Sequence, residues 1–155
     1  MNDNRYDNVE ELMGAFQQFS RMNWQKTTMS GLKPSEIRVL ITIRLSNKRD
    51  PANILTVSDL SRLLKVTSPT VTQMVNGLLA QGFVIRTSDA QDRRISGIML
   101  TAKGEVLADK AIDKIHETFK GMIDYLGKEQ SDTLIGLLNG VHAYFEQLGS
   151  QQDSQ

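Results

Sequence analysis

The chain of 155 residues has no cysteine. That excludes disulfides, a thiol redox switch and a thiolate metal site. Histidine is almost as scarce, with His116 and His142 in separate stretches. A metal site needs several converging ligands. Two distant histidines among scattered carboxylates read instead as solvated or capping groups, so neither metal nor cofactor is expected. No apolar run approaches the length of a membrane span. The opening MNDNRYDNVEE is acidic and polar, unlike a secretory leader. A cytoplasmic protein without membrane contact is the expectation. There is no Gly-rich phosphate loop after a strand and no serine or cysteine nucleophile motif. No internal repeat or low-complexity tract is visible, and no enzymatic activity is expected.

Net charge is also absent, at +0, but it is unevenly spread. Residues 1–59 carry 8 basic and 7 acidic groups, and residues 104–155 carry 4 and 9. Between them, residues 60–103 carry 6 basic groups (Arg62, Lys65, Arg86, Arg93, Arg94 and Lys103) against Asp89 and Asp92, a local +4. A basic segment inside a neutral chain is the electrostatic footprint of a nucleic-acid binder.

That segment also holds the densest local signals. Thr56 and Asp59 have the spacing of a capping box, and Val57, Leu60, Leu63 and Leu64 follow as one apolar face. Lys65-Val66-Thr67 interrupts the pattern. Ser68-Pro69 restarts it, with Ser68 read as N-cap and Pro69 as the first helical residue. Val71, Val75, Leu78 and Leu79 face inward, and Gly82 suits the left-handed residue past the helix end. The outward face shows Ser68, Thr70, Thr72, Gln73 and Asn76, short polar groups without a carboxylate, the residue types that read base edges from a major-groove helix, with Pro69 among the candidate DNA contacts. Gly77 sits within this helix at about 1 kcal/mol relative to alanine, and nothing in the sequence accounts for it. Phe83–Thr87 and Ile95–Leu100 then read as two strands. Their connection carries Asp92, Arg93 and Arg94. Arginines on a hairpin tip can enter a minor groove or lie along phosphates, and Asp92 can hold one guanidinium by a bidentate contact. Arg86 adds a further cation on the first strand. Two helices followed by a charged ribbon make a winged helix-turn-helix.

The run from Leu55 to Gly104 resembles the MarR (multiple antibiotic resistance regulator) family. The resemblance is carried by TVSDLSRLL, VTSPTVTQMVNGLLAQGFVIR, Asp92-Arg93-Arg94 and Leu100-Thr101-Ala102-Lys103-Gly104. It implies a mainly α (α+β) fold, with a two- or three-stranded wing in which Ile54-Leu55 supplies the third strand. It also implies that Asp92 and Arg94 are the wing's acid and minor-groove arginine. The chain departs from the family pattern at Gln73, where a basic residue is common, at Asn76, where an acid is common, and at Gly77 and Lys33.

The flanks read as helices. From about Asp7, Val9, Leu12, Met13, Phe16 and Phe19 trace one face of a helix expected to end near Met29–Gly31. Pro34 opens a second, with Ile37, Leu40, Ile41 and Leu45 inward. After Thr101, a stripe from Leu107 to Leu126 ends at Gly127. Leu134, Leu137, Leu138, Val141, Tyr144, Phe145 and Leu148 then line a last helix joined to it as an antiparallel hairpin. These stripes exceed what a small winged domain can cover, and surplus apolar surface marks association. The expected organisation is an N-terminal dimerisation helix (1–31), a DNA-binding domain (32–101), a C-terminal dimerisation hairpin (102–148) and a disordered tail (149–155).

Together these readings predict a homodimeric transcription regulator that binds an inverted-repeat operator in double-stranded DNA. The resemblance further implies repression relieved by a small aromatic or phenolic effector. The competing class is a non-catalytic winged-helix interaction or sensor module that does not bind DNA.

Overall fold

The computed structural model describes residues 6–22, 28–88 and 96–152. They form two units, Met1–Ala111 and Ile112–Gln155.

The first unit opens with α1 (Val9–Ser20), which buries none of its residues. It ends at Ser20, well before the Met29–Gly31 boundary that the apolar spacing suggests. There the chain is already reversing: Met29 and Leu32 pair across a tight turn whose inner residues, Ser30 and Gly31, are left-handed at φ 53° and 75°. Leu32 drops into the core directly after it.

Helix α2 (Pro34–Arg49) has proline in its first turn. A lysine side chain has no acceptor, so Lys33 cannot cap through its side chain. The Glu36 carboxylate instead accepts the Lys33 backbone N–H at 2.8 Å. Ile37, Val39, Leu40 and Ile43 are buried, while Leu45, expected inward, is exposed. Its neighbour Arg44 turns toward a later helix instead, as described below.

Strand β1 (Leu55–Thr56) leads straight into α3 (Val57–Leu64). The capping box forms as the spacing predicts: the Asp59 N–H donates to Thr56 Oγ1 at 3.2 Å, and the Thr56 N–H donates to Asp59 at 2.9 Å. The Thr56 N–H and the Thr56 hydroxyl, which donates to Asp59 Oδ2 at 2.8 Å, hold the Asp59 carboxyl below the usual carboxylate range, with Arg62 nearby. Leu60 and Leu64 are buried, but Leu63 is 54% exposed and does not share their face. Lys65 then takes a left-handed conformation, φ 54°, which turns the chain into α4 (Ser68–Ala80).

Sheet order is β1-β3-β2, with β2 (Val84–Ser88) and β3 (Ser96–Leu100) antiparallel. The third strand is Leu55–Thr56, one residue later than the sequence suggests, pairing Leu55 with Ile98 and Thr56 with Gly97. Leu40, Leu60, Val71, Val75, Leu78, Val84 and Ile98 meet in one apolar core. Helix α5 (Ala102–Leu126) adds Leu107, Ala108 and Ala111 to it.

The second unit holds the rest of α5 and α6 (Lys128–Gln152). They meet at Gly127, whose φ of 83° is accessible to glycine without strain. The Gly127 carbonyl accepts from both the N–H and the hydroxyl of Ser131, closing the first turn of α6. α6 continues through Gly149 to Gln152, past the Leu148 end expected from its stripe. No helix among the described residues is long and apolar enough to cross a membrane.

Candidate nucleic-acid interface

Helix α4 is fixed at both ends, and those fixings decide which of its side chains face solvent. At its start the cap is Thr67, not Ser68. Thr67 Oγ1 accepts the Thr70 N–H at 3.4 Å and lies 2.8 Å from the Thr70 hydroxyl. Proline in the first turn fits either register, which is why the spacing alone placed the cap one residue late. At its end Gly82, φ 74°, makes a left-handed stop. The Gly82 N–H reaches the Leu79 carbonyl and the Phe83 N–H the Leu78 carbonyl, a Schellman pair that satisfies the last carbonyls.

Three residues after the wing complete that end. The Thr101 hydroxyl donates to the Gly82 carbonyl at 2.7 Å and accepts the Gly104 N–H at 3.1 Å. Lys103 Nζ donates to the Gln81 carbonyl at 2.9 Å and lies over the Phe83 ring, 4.2 Å from its centroid. A cation at a helix C-terminus complements the dipole there. Gly104 lies so close to the Phe83 carbonyl that a Cβ would overlap it. The Leu-Thr-x-x-Gly run is thus a joint between the end of α4 and the start of α5. Lys103 had no role assigned from the sequence; only its place within that run marked it.

Between these ends, Val71, Val75 and Leu78 are buried and Ser68, Pro69, Gln73 and Asn76 are exposed. Thr70 and Thr72 are half-buried, and their hydroxyls have local partners, Thr67 and the Ser68 carbonyl. Gly77 has its reason here: a Cβ would overlap the Glu36 carboxylate, which packs beneath α4 at the start of α2. Arg86 extends from β2 and donates from Nη2 to Asn76 Oδ1 at 3.4 Å, joining the base of the wing to the exposed face of the helix. Asp92, Arg93 and Arg94 lie outside the described residues. Of the other cations in this region, Arg62 is paired with Asp59 at 2.8 Å, and Lys65 is exposed at the turn between α3 and α4.

Away from this face, α2 and α5 are stapled by charge. Arg44 donates to both oxygens of Asp109, at 3.0 and 2.7 Å, and its Nη1 lies 3.1 Å from Glu105. Lys48 reaches Asp109 at 2.8 Å. These donors hold the Asp109 carboxyl down at about 2.

Exposed apolar residues also line the flanking helices. On α1, Val9, Leu12 and Phe16 are exposed, Leu12 by 56%. On α6, Leu137, Leu138, Tyr144, Phe145 and Leu148 are exposed, while Leu134 and Val141 are half-buried.

A model of the MarR family matches residues 30–95. An uncharacterized HTH-type transcriptional regulator of Bacillus subtilis (strain 168), YkoM, is 32% identical over 135 residues, covering 83% of this chain and 81% of its own. The HTH-type transcriptional repressor YetL of the same strain is 24% identical over 123 residues, 79% of this chain and 70% of its own. Among solved structures, Streptococcus pneumoniae FabT in complex with DNA superposes with a TM-score of 0.69 at 22% identity, covering 92% of this chain and 99% of FabT. That likeness shows the fold.

Proposed function

This chain belongs to the MarR family of helix-turn-helix transcriptional regulators, and on that premise we propose that it is a homodimeric, sequence-specific DNA-binding repressor of the cytoplasm. The observation that carries the reading is the exposed face of α4. It presents Ser68, Gln73 and Asn76 to solvent, has no carboxylate in the helix, and stands at the foot of the wing. Such a face suits base edges in a major groove. Arg94 would enter the neighbouring minor groove, with Arg93 on phosphate and Asp92 as orienter. The family pattern supports the roles of Asp92 and Arg94, and the FabT complex with DNA and the repressor YetL support the wider reading.

The exposed apolar faces of α1 and α6 supply the association surface, with residues 1–31 and 102–148 as the dimerising parts around a DNA-binding part, 32–101. Two-fold symmetry then demands an inverted repeat whose half-sites lie about one helical turn apart. The effector is a small aromatic or phenolic molecule that binds better to the state whose two α4 helices are wrongly spaced. The protein works by occupying DNA, without turnover, and needs no metal or cofactor.

The test is duplex binding measured by fluorescence anisotropy across a salt series. A groove binder loses affinity steeply as salt rises. Absence of duplex binding at the lowest salt would leave only the protein-interaction or sensor reading.

A further inference from the structure

We infer that Arg86 sets the base preference of Asn76 by occupying its carbonyl oxygen, so that this side chain meets the DNA as a donor and selects guanine. The inference rests on the reading of α4 as the major-groove helix. Asn76 is exposed on α4, and the tip of Arg86 reaches it from the wing with Nη2 3.4 Å from Oδ1. A guanidinium only donates, so the atom of Asn76 that faces it is the oxygen and not the amide nitrogen.

The consequence follows from the edges of the bases. An unconstrained asparagine reads adenine with both ends of its amide: N–H to N7, and carbonyl oxygen from the N6 amino group. With the oxygen engaged beside a full positive charge, the adenine amino group meets a weakened acceptor and a repelling cation. Guanine presents only acceptors to the major groove, N7 and O6, and both suit the amide N–H2 that Asn76 has left to offer. Gln73, one residue short of a turn earlier, has no hydrogen-bond partner among the described residues and keeps both ends of its amide for reading adenine. Two amides on one helix face therefore read different bases, and the residue that distinguishes them is on the wing.

The experiment is selection of bound sequences from a randomised duplex library by the full-length protein and three variants. Asn76→Ala should flatten the preference at one position in each half-site, which identifies the position that Asn76 reads. There the native protein should favour guanine over adenine by about fivefold, the lower end for one well-made base contact. Arg86→Met should move that position to adenine and leave the others unchanged. Asn76→Asp, paired to Arg86 and offering only acceptors, should move it to cytosine, and this arm stands even if Arg86→Met fails to fold. An unchanged preference in Arg86→Met or in Asn76→Asp, or no flattened position in Asn76→Ala, overturns the inference while leaving DNA reading intact. Failure of the native protein to enrich any sequence overturns both together.

Discussion

Gly104 shows how one missing side chain can decide a junction. A Cβ at this position would overlap the backbone carbonyl of Phe83, which cannot rotate away as a side chain could. Gly104→Ala should therefore destabilise the protein by about 1–3 kcal/mol, the usual range for overpacking a tight site, although alanine is the better helix former. Urea denaturation of the two proteins checks this; a gain in stability would show that the contact relaxes freely. Gly77 is different, because its obstacle is the carboxylate of Glu36. Neither reason was legible in the sequence. Gly77 stood out only as a helix-weakening residue, since its partner is 41 positions earlier in the chain and no local spacing points there. Gly104 was marked by the family pattern, which names the residue without its cause. The local signal at Thr56 and Asp59 is legible, and the capping box it predicts forms. Where two adjacent hydroxyls can each cap the same helix, spacing points to Ser68 and the structure uses Thr67.

At the scale of elements, helices and strands were legible because their apolar periods are strong, and element ends were not. The apolar spacing carries α1 past its end at Ser20 because residues that continue an apolar stripe can equally line a turn, as Met29 does. The electrostatic staple between α2 and α5 was invisible for a different reason: Arg44 and Asp109 are 65 residues apart. It has a measurable signature. Asp109 sits at about 2 in the folded protein, below the ordinary aspartate value of 3.8, because Arg44 and Lys48 donate to it. A depressed carboxyl contributes stability that is fully present above its unfolded value and is lost as pH falls through its folded one. The native protein should therefore lose stability between about pH 4 and pH 2 more steeply than Asp109→Asn, which should be less stable at neutral pH and converge with it near pH 2. The difference at neutral pH should be modest, because Asp109 is 37% exposed and solvent screens the pair. Parallel melting curves across that window would remove the staple from the account.

At the scale of the whole molecule, what matters is surface left uncovered. Val9, Leu12, Met13, Phe16 and Phe19 on α1 and Leu137, Leu138, Tyr144 and Phe145 on α6 are all more than 40% exposed. Apolar surface of that kind marks an association site, and the proposed dimer is its simplest occupant. The native protein should sediment at twice the mass of one chain. Leu138→Glu combined with Phe145→Glu should sediment as a single chain and lose operator binding at matched concentration, with its helical circular dichroism retained. A native protein that sediments as one chain would contradict the dimer.

The joint at the end of α4 carries a mechanical consequence. Thr101 and Lys103 hold three successive carbonyls, those of Gln81, Gly82 and Phe83, through three hydrogen bonds, and Gly104 leaves room for the last of them. A twist applied to the first turn of α5 either breaks those attachments or is delivered as torque to α4, the helix proposed to read DNA.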